Sequence, residues 1–211
     1  MNIERKKYNR TFHLPFSLGQ TDDDKTLSDC SIFEGKDVVV TVKVDGENSN
    51  YYSDGYFHAR SLDSKSHESR DYVKKYLKER VDLPKNWRIC GENLYAKHSI
   101  HYTNLKGYFY IFSIWNELNE CLSWDDTLEW GNLMYIPVVD ELYRGIWDEG
   151  KIKSLYTSFH NGCECEGFVV RTVGSFKYED FQKNVAKFVR KNHVITSNHW
   201  MQEKIIKNIL Q

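Results

Sequence analysis

The chain has 211 residues, with 29 Lys and Arg against 30 Asp and Glu and a formal net charge of −1. That length suits one large domain or a tight pair, and 40% hydrophobic with 15% aromatic residues gives enough apolar material for a core, which excludes wholesale disorder. The balanced charge argues against a protein that coats nucleic acid by bulk attraction, while leaving room for a local basic groove.

Residues 1–35 read as loop-rich, with Pro15, Gly19 and the acidic run Asp22-Asp23-Asp24. Asp37 to Val44 is dense in β-branched residues and reads as a buried strand ended by Gly46. Asn50–Ser53 and Tyr56–Arg60 flank Asp54-Gly55, a strong short hairpin signal. His67 to Arg80 places Val73, Tyr76 and Leu77 on a charged background, the pattern of an amphipathic surface helix. Trp87–Cys90 and Tyr108–Trp115 read as strands. Ser123 opens a helix with Asp126 three residues on, and Asp148 opens another that the pattern carries to Phe159. Gly167–Thr172 and Val185–Val189 are strands again, and Trp200–Leu210 reads as a last amphipathic helix. The sum is an α+β protein of antiparallel strands with peripheral helices, expected to form a single domain over residues 1–211.

Five cysteines, Cys30, Cys90, Cys121, Cys163 and Cys165, are odd in number and fit no disulfide framework. Cys163 and Cys165 are too close for the usual zinc pair, and no second pair exists. No apolar run approaches the roughly 20 residues of a membrane span, and the charged start MNIERKKYNR lacks a signal-peptide core. A cytosolic monomer with reduced thiols and no membrane partner is the expectation.

Four short segments carry chemistry. Lys43-Val44-Asp45-Gly46 ends the first long strand, putting an amine where an apolar strand meets a turn. Gly91-Glu92-Asn93 follows the strand containing Cys90. Glu166-Gly167 opens the strand to Thr172, and Lys187 lies inside the strand that follows. Each alone has a bland explanation: a turn residue, a solvated carboxylate, an outward-facing lysine. Buried lysines, however, are rare without a partner or a task.

Taken together and in this order, the segments resemble the covalent nucleotidyltransferases, and within them the RNA ligases. Lys43-Val44-Asp45-Gly46 is similar to the nucleotidyl-lysine motif. Arg60 falls where the family has an arginine-bearing motif. Glu92 sits in the Gly-Glu motif, Phe112 in the aromatic motif that sandwiches the purine, Glu166 in the metal-side carboxylate motif and Lys187 in the final lysine motif. HLPFS, GENLYAKHSIHY, YFYIFSIWN and KFVRKNHV are similar to small bacterial and phage RNA ligase-like proteins, so the likeness covers nearly the whole chain. It implies an adenylation domain with an ATP-grasp-like ligase core. The short stretch after Lys187 leaves no room for the OB-fold that DNA ligases and capping enzymes carry. Asn48, two residues after the motif glycine, is similar to RNA ligases; those other enzymes usually have arginine there. The chain departs from the family pattern in having Val42 before the lysine, where many members have an acid, and Val189 where some have a second lysine.

The resemblance implies an ATP-dependent ligase that seals 5′-phosphate and 3′-hydroxyl RNA ends in RNA repair. The alternatives left open are a polynucleotide ligase acting on DNA or mixed nicks, and a non-catalytic end-binding module. Lys43 would attack the α-phosphorus of ATP to form lysyl-AMP. An amine attacks only when deprotonated, and burial near Lys187 and a Mg²⁺ (or Mn²⁺) ion is expected to lower its pKa. Catalysis is assigned to Lys43, Lys187 and Glu166. Nucleotide binding adds Asp45, Gly46, Asn48, Arg60, Glu92 and Phe112, with Glu92 on the ribose hydroxyls. The metal is assigned to Glu166, with Asp45 acting through water. RNA ends or nicked duplex would meet Lys97, His98, Arg171, Arg190, Lys191 and His193, which position phosphates rather than read sequence.

Overall fold

The computed structural model describes residues 4–155, 159–160, 163–191 and 205–211. From the N-terminal side come β1 (Phe12–His13), a 3-10 turn (Ser31–Phe33), β2 (Asp37–Lys43), β3 (Glu47–Tyr52) and β4 (Phe57–Ala59). Then follow α1 (Glu68–Lys78), β5 (Arg88–Asn93), β6 (Phe109–Trp115), β7 (Glu120–Cys121) and α2 (Trp124–Leu133). The last part holds β8 (Glu141–Ile146), α3 (Glu149–Ser154), β9 (Phe159–His160), β10 (Cys163–Glu164), β11 (Gly167–Thr172), β12 (Phe176–Lys177) and β13 (Val185–Val189).

The strands form a five-stranded sheet in the order β1-β13-β11-β2-β8, a six-stranded sheet in the order β12-β7-β6-β5-β3-β4, and the small β9–β10 hairpin. The pairings are antiparallel apart from β1 with β13. This is the α+β architecture that the sequence pattern implies.

Strand side chains alternate between faces, and here the alternation separates core from site. Val38, Val40, Phe168, Val170, Ala186 and Phe188 pack on one face of the five-stranded sheet, against Leu14, Phe33 and Ile152. The intervening residues turn to the six-stranded sheet: Val39 packs with Leu94, Tyr110 and Trp124, and Val169 and Val185 with Cys90, Trp115 and Phe181. The far side of the six-stranded sheet is covered by α1, whose Val73 and Leu77 meet Ile89, Phe109 and Ile114.

The local signals act as expected at several ends. Ser123 caps α2 by accepting from the Asp126 N–H at 3.1 Å, satisfying a donor the helix leaves open. Asp148 caps α3 through the Lys151 N–H at 2.9 Å. Gly55, at φ +82°, closes the β3–β4 hairpin in a conformation that disfavours side chains. Cys30, Cys90, Cys121 and Cys165 are buried, the first three in no disulfide, and burial pushes the thiols of Cys30 and Cys90 up to about 11. No helix among the described residues is long and apolar enough to cross a membrane.

Three expectations are corrected. The helix opened by Asp148 ends at Ser154, not Phe159, which instead begins β9. Phe159 and His160 pair with Glu164 and Cys163 in the β9–β10 hairpin. Strand β8 was not foreseen; only two of its six residues, Leu142 and Ile146, are large aliphatics, and none of the six is buried. Residues 205–211 are extended rather than helical, bridging Ala96 to Lys207 and Leu105 to Leu210. Buried Asn208 explains the extension: its amide donates to the carbonyls of Leu94 (2.8 Å) and Ala96 (3.3 Å), and its oxygen accepts the Tyr102 N–H (2.9 Å). Residues 200–204 of that expected helix lie outside the described residues.

Arg70 on α1 ties the helix to β3. Its Nε donates to Glu47 Oε2 at 2.8 Å, with a second contact from Nη2 to Oε1, and the two side chains are only 10% and 12% exposed. Removing one partner leaves the other charge buried, so Arg70→Ala should destabilise the fold by about 3–5 kcal/mol. Urea unfolding of Arg70→Ala and of the Glu47→Gln/Arg70→Met pair checks this: the double variant should recover much of the loss.

Candidate active site

The register of three strands assembles the charged centre. Lys43, the last residue of β2, stands opposite Gly167 of β11, and Gly167 stands opposite Val189 of β13. A Cβ on Gly167 would lie 2.0 Å from the Phe188 carbonyl oxygen, so only glycine allows the strands to meet this closely. That approach brings Glu166, one residue earlier, against Lys43, whose Nζ donates to Glu166 Oε2. Val169 pairs with Thr41 on one side and Lys187 on the other, so alternation puts Lys43 and Lys187 on the same face.

The opposing sheet brings the rest. A Cβ on Gly46 would lie 2.5 Å from the Asn93 carbonyl oxygen. Its absence lets the turn after β2 pack onto β5, where Glu92 pairs with Asn48 and with Tyr110. Asp45 Oδ2 accepts the N–H groups of Ser99 (2.7 Å) and Ile100 (2.8 Å), and the Asp45 N–H donates to the Tyr102 hydroxyl at 2.8 Å. The Asp45 carboxylate therefore latches the turn to the 99–102 segment.

Between the sheets lies a cavity of ≈ 380 Å³. Lys43, Asn48, Arg60, Glu92, Phe112, Arg171 and Lys187 line it, seven of the residues singled out from the sequence, whereas Asp45, Gly46 and Glu166 do not. Phe112 owes its place to a bulge. Cys90 pairs with Ser113 and Gly91 with Ile111, leaving Phe112 as the extra residue of β6. It is the one residue of that strand that is not buried. A bulge re-aims side chains, and here Phe112 and Ser113 both reach the cavity. A core aromatic would be the ordinary fate of such a residue; Phe112 instead offers a face to the cavity.

Charge in this space is unbalanced. Burial pulls the Lys43 ammonium down, but Glu166, Glu92 and Asp45 outweigh it and raise its pKa. The nearest charges are carboxylates; the lowered value expected from the sequence is for a site that also holds a divalent cation. Burial pushes the Glu92 carboxyl up to about 8, against the pull of Lys43 and with help from Glu166 and Asp45, so Glu92 holds a proton at neutral pH. Lys187 is lowered, by burial and then by Lys43. Among the described residues no three His, Cys, Asp or Glu groups converge to hold a metal unaided. The hard oxygen donors of Glu166 and Asp45 nevertheless suit a cation such as Mg²⁺, which keeps most of its waters and takes only one or two carboxylates.

The sequence reading missed one wall. Tyr8, Arg10, Thr11, Asp23 and Asp24 also line the cavity. Tyr8 meets Phe112 edge-on at 5.1 Å and Phe181 at 5.2 Å, and burial drives its hydroxyl pKa well up. No local pattern marks these residues beyond the acidic run. The residues expected to meet polynucleotide scatter. Half-buried Lys97 and His98 lie on the loop after β5 and do not line the cavity, while Arg190 and exposed Lys191 follow β13. His193 lies outside the described residues. Arg171 is a correction: it is 4% exposed, and its guanidinium donates to the carbonyls of Leu122 (2.8 Å) and Thr172 (3.1 Å). It forms part of the cavity's interior rather than an outer track.

The sequence model of the RNA ligase family matches residues 36–189. No curated protein matches the sequence. Similar solved structures include a Naegleria gruberi RNA ligase mutant with AMP and Mn (TM-score 0.55, 16% identity, covering 76% of this chain and 51% of that one). A further mutant of that ligase with ATP and Mn gives 0.55 and 17%, covering 89% and 61%, and the ligase with PPi gives 0.52 and 16%, covering 90% and 61%. The chain thus spans between half and two thirds of the length of those structures. Their identity is low enough that they speak for the fold, whereas the family match covers most of this sequence: the chain belongs to the RNA ligase family.

Proposed function

We propose that this protein is an ATP-dependent RNA ligase that joins 5′-phosphate and 3′-hydroxyl RNA ends through a lysyl-AMP intermediate. The observation that carries the reading is Lys43, half-buried at a strand end, held by Glu166 and facing a cavity that Lys187 and Phe112 also line. The family assignment and the ATP and Mn in the Naegleria structures support ATP and a divalent cation as its cofactors.

In this reading the adenine stacks on Phe112 and Glu92 meets the ribose. With its proton retained, Glu92 donates one hydrogen bond and accepts others. Arg60 and Lys187 face the phosphates. The Lys43 ammonium first loses a proton, for which the contacting Glu166 carboxylate is within reach. The amine then forms an N–P bond to the α-phosphorus as the Pα–O bond to pyrophosphate breaks. Positioning and charge supply most of the catalysis. Mg²⁺ or Mn²⁺, held by Glu166 with Asp45 through water, would offset the carboxylates and the phosphate oxygens. The adenylyl group then passes to a 5′-phosphate RNA end, and a 3′-hydroxyl displaces AMP. A role in RNA repair in the cytoplasm, by a single-domain monomer acting on RNA ends or nicked duplex, completes the proposal. Lys97, His98, Arg190, Lys191 and His193 remain the proposed strand contacts.

Incubation with α-labelled ATP and Mg²⁺ or Mn²⁺ should leave label covalently on the protein, and Lys43→Ala should abolish it; absence of label with every divalent metal tried would overturn the reading. On matched nicked duplexes the wild type should seal RNA at least about tenfold faster than DNA, whereas equal or faster DNA sealing would make it a DNA or mixed-nick ligase. Self-labelling without sealing of any strand would point to an end-binding module or a missing subunit.

The raised Glu92 pKa makes stability pH-dependent. The folded state holds a proton that the unfolded chain releases near its ordinary value of 4.5, so between that pH and about 8 the folded state binds more protons. Stability must then fall as pH rises through this window. Glu92→Gln should remove that part of the decline, leaving a flatter Tm profile between pH 5 and 9; a Gln variant with the wild-type slope would contradict the assignment.

A further inference from the structure

Asp24 lies in the N-terminal segment, ahead of residue 36 where the family match begins. Its carboxylate is fixed by its own turn before any lysine is considered. Oδ2 accepts the Thr21 N–H at 3.1 Å and the Thr21 hydroxyl at 3.0 Å, while the Asp24 N–H returns to the Thr21 carbonyl at 3.0 Å. Oδ1 is left facing the cavity, 3.2 Å from Lys187 Nζ and 3.2 Å from His13 Nε2.

His13 is itself immobilised. It is fully buried, and β1 pairs with β13 so that His13 stands opposite Lys187. Its Nδ1 lies 2.7 Å from Ser17 Oγ, which accepts the Val189 N–H at 2.9 Å. The Thr21 turn therefore defines where Oδ1 sits, with the His13 ring beside it, and Oδ1 defines where the Lys187 ammonium sits.

Lysine is a point charge on a flexible four-carbon stem. In this cavity Lys43 repels it while Glu166 attracts it, so a fixed partner is needed to hold its ammonium in one place. An ammonium has three donors; one spent on Asp24 leaves two for phosphate oxygens. We propose that Asp24 is a positioning residue that holds the Lys187 ammonium beside Lys43 for adenylyl transfer. The inference rests on the ligase reading above and adds to it a residue from outside the matched segment.

Self-labelling with α-labelled ATP at saturating and limiting concentrations tests it. Misplacing a charge by about 1 Å can cost on the order of 100-fold in rate, so Asp24→Asn should slow lysyl-AMP formation at saturating ATP by at least about tenfold. The KM for ATP should stay within about threefold, because the contact orders a group used in the transition state. In the Lys187→Ala background, Asp24→Asn should add nothing further, since Asp24 acts through that lysine. If Asp24→Asn melts early, Thr21→Ala at the exposed turn removes one anchor and should slow labelling about threefold. A wild-type or faster rate in Asp24→Asn, or slowing that multiplies with Lys187→Ala, would overturn the proposal while leaving the ligase reading intact. No labelling of the wild type would overturn both.

Discussion

The molecule is organised around a charge conflict: Lys43, Lys187, Glu166, Glu92 and Asp45 gather, buried or half-buried, where the two sheets meet. In a low-dielectric interior, such groups interact far more strongly than in water, and an uncompensated charge is costly. The structure divides the conflict into local settlements. Lys43 is held by Glu166, Glu92 is kept protonated, Asp45 is tied to backbone N–H groups, and Lys187 is held by Asp24. Each settlement requires its strand to be in register. A one-residue slip of β11 against β2 would turn Val169 and Arg171 to the apolar face and Phe168 and Val170 into the cavity. The hydrophobic core on one face and the charged centre on the other therefore enforce the same alignment.

Much of this was legible in the sequence because residue type carries it. The density of β-branched and aromatic residues in Asp37–Lys43, Gly167–Thr172 and Val185–Val189 marks them as strands and puts Lys43 and Lys187 among apolar neighbours. What was not legible depends on contacts between distant segments. The direction of Phe112 comes from a bulge, which has no marker in YFYIFSIW itself. The raised Lys43 pKa follows from Glu166, 123 residues away, a contact that the sequence does not show. Residues 205–211 show a helix-like spacing of isoleucines, but the side chain of Asn208 finds backbone partners only in an extended chain. Arg171 has the composition of a surface contact and the position of an interior one.

The N-terminal segment changes how the domain is bounded. The family match begins at residue 36, yet Tyr8, Arg10 and Asp24 form one side of the cavity. The cationic and aromatic side chains there extend the surface beside Phe112 and Arg60, so the nucleotide-sized space is a product of two parts of the chain that sequence comparison treats differently. Tyr8 in particular fills the region beside Phe112 with a ring whose hydroxyl is deeply buried. The dimensions of the cavity are thus set partly by residues with no counterpart in the matched region.

The parallel pairing of β1 with β13 has a consequence for biogenesis. Phe12 and His13 find their partners at Ala186 and Lys187, and long loops must close before such contacts are rewarded. While the chain is being synthesised, the first strand of the sheet waits for nearly the last one. A nascent chain that exposes Lys43 still lacks Glu166 and Lys187, so this charged centre forms only after β13 has been made, and a stop before that strand would release a chain with no such centre.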